Sequence, residues 1–237
     1  MADLVYPPVI ALAKTMFRLL NMRITVEGAE HVPTTGGAVI ACNHVSYLDF
    51  IFCGLGANPS KRLVRFMAKE SIFRHRVGGP LMRGMRHIPV DREAGMASYK
   101  AALNNLKDGE VVGVFPEATI SQSFTVKELK SGAARLAAAT GTPLVPMVLW
   151  GTQRFWTKGH PKDLTQRGIP ITIIAGEPLH PTRRDNADAV TAELRTRMTA
   201  MLDRAQREYP DRPEGVFWQP AHLGGTAPTP ESLLAAD

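Results

Sequence analysis

The stretch Asn43-His44-Val45-Ser46-Tyr47-Leu48-Asp49 brings a histidine and a carboxylate within five positions of each other. Histidine is the side chain best suited to take and return a proton near neutral pH. A nearby carboxylate can decide which ring nitrogen carries that proton. The alternative is a helix start capped by Ser46, with His44 and Asp49 as ordinary surface residues. Two more polar clusters follow, Asp91 with Arg92 and Glu117 with Thr119. An arginine-rich neighbourhood can clamp a phosphate or carboxylate, because guanidinium binds two oxygens at once. No nucleophile accompanies the histidine: the chain has no Gly-x-Ser-x-Gly elbow, no Gly-x-Gly-x-x-Gly and no Walker loop. A base without an enzyme nucleophile activates a substrate hydroxyl or a water. Acyl transfer from a thioester to an alcohol needs little more: a base for the hydroxyl proton, a thiol that leaves readily, and donors for the tetrahedral oxyanion. A metal site is the weaker reading, since the spacing of His44 and Asp49 is poorer than His-x-x-x-His and no third ligand adjoins them.

These clusters need a scaffold. The apolar run 37–42 reads as a buried strand that delivers the His44 corner, and 47–52 reads as the start of a helix whose amides can receive negative charge. Residues 23–27 alternate as an edge strand, and 63–67 form another strand with Lys69 at its exit. Residues 88–92 are a short strand ending in charge. Residues 94–107 are a helix closed by Gly109, and 111–115 a central strand that ends at Pro116-Glu117-Ala118-Thr119. Thr125-Val126-Lys127-Glu128 has the form of a capping box opening a helix closed by Gly141. Residues 143–150 and 170–175 add strands, and 184–208 a long amphipathic helix. The Gly, Pro and Asn of 54–60 predict a break. Strands alternating with helices make an α/β fold, a single mostly parallel mixed sheet flanked by helices, with sites at the strand exits.

Length and charge bound the rest. The 237 residues are 44% hydrophobic, enough for one large α/β domain or two small ones. The formal net charge is +6, which suits an anionic partner. The excess is local: residues 61–92 carry nine Lys or Arg against Glu70 and Asp91. Nucleic acid fits that charge but finds neither zinc-finger cysteines nor an aromatic RNA-binding strand, so no nucleic acid partner is expected. Cys42 and Cys53 are the only cysteines, too few for a disulfide framework or a zinc site and suited to a reducing cytosol. No signal peptide is evident, and no run approaches the length that spans a bilayer. Residues 1–22 are expected to form an amphipathic helical segment. Lys14 and Arg18 lie on one side of it, able to rest in a membrane interface or to pack on the domain. Residues 23–209 are read as the α/β domain and 210–237 as a Pro/Gly-rich tail.

Taken together, the clusters resemble the lysophosphatidic acid acyltransferase family, the 1-acylglycerol-3-phosphate acyltransferases. The motif Asn-His-x-Ser-x-x-Asp is matched by Asn43, His44, Ser46 and Asp49. A second motif ending in Asp-Arg resembles Gly84-Met85-Arg86-His87-Ile88-Pro89-Val90-Asp91-Arg92, and Phe-Pro-Glu-Gly-Thr-Arg-Ser appears as Phe115-Pro116-Glu117-Ala118-Thr119-Ile120-Ser121. Lys130-Ser131-Gly132-Ala133 and the Val145-Pro146 strand follow in the family's order. The resemblance implies a glycerolipid acyltransferase fold, with His44 as general base and Asp49 holding it. It implies that Arg92 and Glu117 bind the glycerol phosphate, with Thr119, Lys69 and Lys130 as further candidates at the anion site. Glu117 would act by orienting Arg92, a lysine or a substrate hydroxyl. The implied co-substrate is acyl-CoA or acyl carrier protein, the acceptor a lysophospholipid, with no metal and no bound cofactor. The implied location is the cytoplasmic face of the cell membrane, peripheral or monotopic, on an anionic surface. Two positions depart from the pattern: Ala118 stands where the family has Gly, and Ile120 where it has Arg. The second leaves other acceptors open, among them glycerol 3-phosphate and other lysophospholipids, as well as a non-catalytic lipid-binding protein on the same scaffold.

Overall fold

A computed structural model describes residues 3–91 and 95–235. Seven strands form one sheet: β1 (Arg23–Glu27), β2 (Ala38–Cys42), β3 (Val64–Lys69), β4 (Ile88–Val90), β5 (Val111–Val114), β6 (Leu144–Trp150) and β7 (Pro170–Ala175). Their order is β1-β7-β6-β2-β5-β3-β4, and every pairing is parallel except β6 with β7. The strands β6, β2, β5, β3 and β4 therefore all end on the same edge. β2 and β6 are buried along their whole length, as strands covered on both faces must be, which explains their uninterrupted apolar sequences.

Alternate residues of β2 feed two cores. Val39 and Ala41 face a layer built from α5 (Gly95–Lys107), α6 (Gly132–Thr140) and α7 (Ala187–Arg207). Ala38, Ile40 and Cys42 face α1 (Tyr6–Leu19) and α2 (Asp49–Ala57). Asn186 caps α7 by accepting from the backbone N–H groups of Asp188 and Ala189. Two short helices, α3 (Glu70–Phe73) and α4 (Gly78–Gly84), break up the basic segment as its glycines suggest. The second is followed by a turn that carries the chain to β4. Near the C-terminus, α8 (Pro230–Leu234) ends the described chain. Trp218 stacks its ring under the Arg154 guanidinium, 4.5 Å from the centroid, and Ala227 joins the core, so this part of 210–237 lies against the domain.

Two local expectations give way to tertiary contacts. The break at 54–60 does not form where expected, because α2 runs on through Gly54 and Gly56. A Cβ at Gly56 would stand 2.8 Å from Ile173 Cγ2 and 3.0 Å from Met147, so the glycine lets the helix lie directly on the sheet. The capping box at 125–128 opens no helix. The backbone N–H of Lys127 goes to Glu117 and that of Lys130 to the Pro116 carbonyl, and Thr125 shares its hydroxyl with Ser123. Helix α6 starts only at Gly132 and ends, as predicted, at Gly141 with φ +68°.

Candidate active site

The corner after β2 is built around one carboxylate. Asp49 is fully buried at the start of α2, and its Oδ2 accepts from His44 Nδ1 at 3.0 Å and from the backbone N–H groups of Val45 and Ser46, each at 2.7 Å. The amides of the strand-to-helix turn are thus spent on Asp49, not offered to developing charge in a substrate. With Nδ1 donating to Asp49, Nε2 carries the lone pair and has no hydrogen-bond partner among the described residues. The imidazole stacks on Phe115, centroids 4.4 Å apart, and its side chain is 21% exposed. Asn43 secures the end of β2 by imitating a ladder residue: its Nδ2 donates to the Leu149 carbonyl and its Oδ1 accepts from Leu149 N–H. Neighbouring Cys42 is buried and burial pushes its thiol up, which makes it inert, a core residue as read from sequence.

Glu117 lies at the exit of β5, beside β2. It is 4% exposed and accepts from His44 N–H at 2.8 Å with one oxygen and from Lys127 N–H at 3.1 Å with the other. It therefore braces the backbone of the histidine. Burial pushes its carboxyl up to about 7, against the opposing pull of the two N–H groups. Ala118 adopts φ +62°, so the turn keeps the left-handed conformation although its residue is not glycine. Thr119 accepts a hydrogen bond from Lys127 Nζ. Ile120 is buried, so that position presents hydrocarbon to the interior while a cation, Lys127, is held next door. Lys130 joins this turn through its backbone and is exposed. Lys69 ends β3, in register with Val90 and exposed at the same edge. Arg92 lies outside the described residues.

The segment after β6, which no local sequence motif marks, completes the corner. Thr152 donates its hydroxyl to Asp49 Oδ1 at 2.6 Å. Ser46 Oγ and Tyr47 N–H both donate to the Trp156 carbonyl, and Thr157 Oγ1 donates to the Val45 carbonyl. The available signal was positional: Gly151-Thr152 leaves a buried strand as His44 and Glu117 do.

An apolar cavity of about 290 Å³ opens between α1, α2 and α4, lined by residues such as Val9, Ile10, Phe50, Leu81 and Met82. An aromatic wall joins it to the histidine: Phe50 packs edge-on against Phe66, Phe66 stacks with Phe115, and Phe115 with His44. His87 also lines the cavity. Burial and the nearby Arg65 push its proton affinity down to about 4, and its Nδ1 accepts from Phe66 N–H, so it stays neutral in the wall.

Comparison with known proteins gives four matches. The family model described as Acyltransferase matches residues 23–150. The chain is 34% identical over 193 residues to the 1-acyl-sn-glycerol-3-phosphate acyltransferase of Bacillus subtilis, covering 80% of this chain and 90% of that protein. It is 30% identical over 185 residues to the chloroplastic 1-acyl-sn-glycerol-3-phosphate acyltransferase LPAT1 of Arabidopsis thaliana, covering 76% of this chain and 49% of that one. Its fold matches the crystal structure of the 1-acyl-sn-glycerophosphate (LPA) acyltransferase PlsC from Thermotoga maritima with a TM-score of 0.73 at 22% identity, over 86% of this chain and 81% of the other.

Proposed function

The chain belongs to the acyltransferase family, and from that premise we propose that it moves a fatty acyl group from acyl-CoA or acyl carrier protein to the free hydroxyl of 1-acylglycerol 3-phosphate, giving phosphatidic acid. The observation that carries the reading is the His44–Asp49 pair, with Nε2 left open beside an aromatic wall that leads to an apolar cavity. His44 Nε2 takes the proton of the acceptor hydroxyl as its oxygen attacks the thioester carbonyl. The tetrahedral intermediate then expels the thiolate, which recovers the proton from the imidazolium. Asp49 holds the imidazole in the useful tautomer and stabilises it when charged. No acyl-enzyme forms, and the chemistry so described uses no metal and no resident cofactor. The cavity between α1 and α4 takes the hydrocarbon of one acyl chain. The acceptor's phosphate meets cations of the same sheet edge, Lys69 and Lys130, with Arg92 by its place in the motif and Lys127 beside Thr119. Glu117 serves that site indirectly, by fixing the turn that carries His44.

The cavity is walled by elements that also expose hydrocarbon. Leu12 and Leu19 on α1, and Ile72, Val77 and Leu81 around α3 and α4, are all more than one-third exposed, with Arg74 and Arg76 between them. Apolar side chains rimmed by cations suit the surface of an anionic membrane. Among the described residues no helix is long and apolar enough to cross a membrane. With exposed hydrocarbon and cations beside the cavity, the protein rests on the cytoplasmic face of the cell membrane and takes its acceptor from the lipid.

The test is a panel of acceptors with one labelled acyl thioester. The wild type is expected to acylate 1-acylglycerol 3-phosphate in preference to glycerol 3-phosphate and to uncharged lysolipids. His44→Ala is expected to lose turnover while still binding lipid. Near-normal turnover by His44→Ala refutes the mechanism, and preference for another acceptor refutes the substrate.

A further inference from the structure

Thr152 lies just beyond the residues that the family model matches, at the exit of β6. It has no exposed surface, and its hydroxyl points to the buried carboxylate that holds the histidine, with Oγ1 2.6 Å from Asp49 Oδ1. The two oxygens of Asp49 are unequally served. Among the described residues, Oδ2 takes three N–H donors, from His44, Val45 and Ser46, whereas Thr152 is the donor to Oδ1. A buried carboxylate oxygen with no donor is costly, and a carboxylate that lost the Thr152 donor could lessen that cost by a partial turn about its Cβ–Cγ bond that shares the three N–H donors between both oxygens. Such a tilt would move Oδ2 out of line with the imidazole Nδ1–H.

The backbone makes this contact available on purpose of geometry, not by chance of a flexible side chain. Gly151 bends the chain with φ +102°, and a Cβ there would stand 2.2 Å from the Pro170 carbonyl oxygen, so only glycine lets the strand turn so tightly beside β7. The turn Thr152–Arg154 follows at once. Three more hydrogen bonds then fasten the same loop to the corner, from Ser46 and Tyr47 to Trp156 and from Thr157 to Val45. Of the four, only that of Thr152 reaches the side chain of the proton-transferring pair.

We propose that Thr152 is a positioning residue of the acyl transfer: its hydroxyl fixes the Asp49 carboxylate so that Oδ2 stays on His44 Nδ1 and Nε2 stays aimed at the acceptor hydroxyl. The inference rests on the reading of His44 as the base. Thr152 touches neither substrate nor reacting atoms, and acts through Asp49.

The experiment compares Thr152→Val, which keeps shape and removes the donor, with Thr152→Ser, which keeps the donor. With 1-acylglycerol 3-phosphate and an acyl-CoA, Thr152→Val is expected to lose about 10- to 100-fold in kcat, as partners that orient a reacting histidine commonly do, while KM for both substrates changes by less than about twofold. The acidic limb of its kcat/KM profile moves to higher pH. A carboxylate deprived of one donor pulls harder on the imidazole proton, so the free base appears later. Thr152→Ser restores most of the rate and the original profile. In the Asp49→Ala background, Thr152→Val adds no further loss, because a residue that acts through a partner has nothing to act on once the partner is gone. If Thr152→Val does not accumulate folded, Thr152→Cys replaces it, since a thiol is a poor donor of similar size. A Val or Cys variant with wild-type kcat and pH profile overturns the proposal, as does equal loss in the Ser variant or an undiminished loss without Asp49. His44→Ala separates the two levels. If it keeps turnover, the base assignment has failed; if it is inactive while Thr152→Val is normal, only the role of Thr152 has.

Discussion

Glu117→Gln offers a measurement whose size and sign follow from burial. In the folded chain the Glu117 carboxyl holds its proton up to about pH 7, because burial opposes its charge more than two backbone N–H groups favour it. In the unfolded chain it releases that proton near 4.5. Between those values the folded state binds a proton that the unfolded state has lost, so stability falls as pH rises. The contribution is fully present below about pH 4.5 and lost by about pH 7. With 1.36 kcal/mol for each pH unit, the loss is roughly 3 kcal/mol. An amide in this place is neutral throughout and contributes no such slope. It can accept only one of the two N–H bonds, from His44 or from Lys127, and its own donor opposes the other, a penalty of roughly 1–3 kcal/mol that does not depend on pH. Urea unfolding of both proteins at pH 5, 6, 7 and 8 should therefore show the wild type losing its advantage over Glu117→Gln as pH rises, and levelling above pH 7. A stability gap that stays constant to within about 0.5 kcal/mol across that range, the order of error in such extrapolations, would refute the account of Glu117 as a buried brace with a late-leaving proton.

The strained turn and the membrane rim give two more measurements. Ala118→Gly relieves a left-handed residue at φ +62° and should raise stability by about 0.5–1 kcal/mol, read as a higher Tm; an unchanged or lower Tm would mean that the turn stores no strain. Leu12→Ser and Val77→Ser, at side chains 71% and 67% exposed, should each weaken co-sedimentation with vesicles containing phosphatidylglycerol by roughly tenfold, the loss expected from about 1.5 kcal/mol of hydrocarbon burial. Unaltered partitioning would move the membrane contact to another face.

What the sequence disclosed, and what it withheld, divides along the range of the interactions. His44 and Asp49 were legible because both sit on one short corner, where residue type and spacing already imply the contact. The strands were legible because β2 and β6, covered on both faces, cannot carry polar side chains along their length. The extension of α2 through Gly54 and Gly56 was not legible, because it depends on how closely the helix approaches Ile173 and Met147 across the sheet. Nor was the fate of 125–130, whose amides are claimed by Glu117 and Pro116 before a helix can use them. Thr152 stayed hidden for the same reason: nothing local to Trp150-Gly151-Thr152 says that β6 lies next to β2. The strand order supplies the missing logic. β2 stands between β5 and β6, so the histidine emerges from the middle of three parallel strands with a partner on either side. Glu117 takes the His44 backbone from the β5 side, while Asn43 is locked to Leu149 and Asp49 to Thr152 on the β6 side. A histidine at the edge of a sheet would have one such neighbour at most. Placing it at the centre lets two separate loops fix its backbone and its carboxylate, and leaves one nitrogen of the ring free.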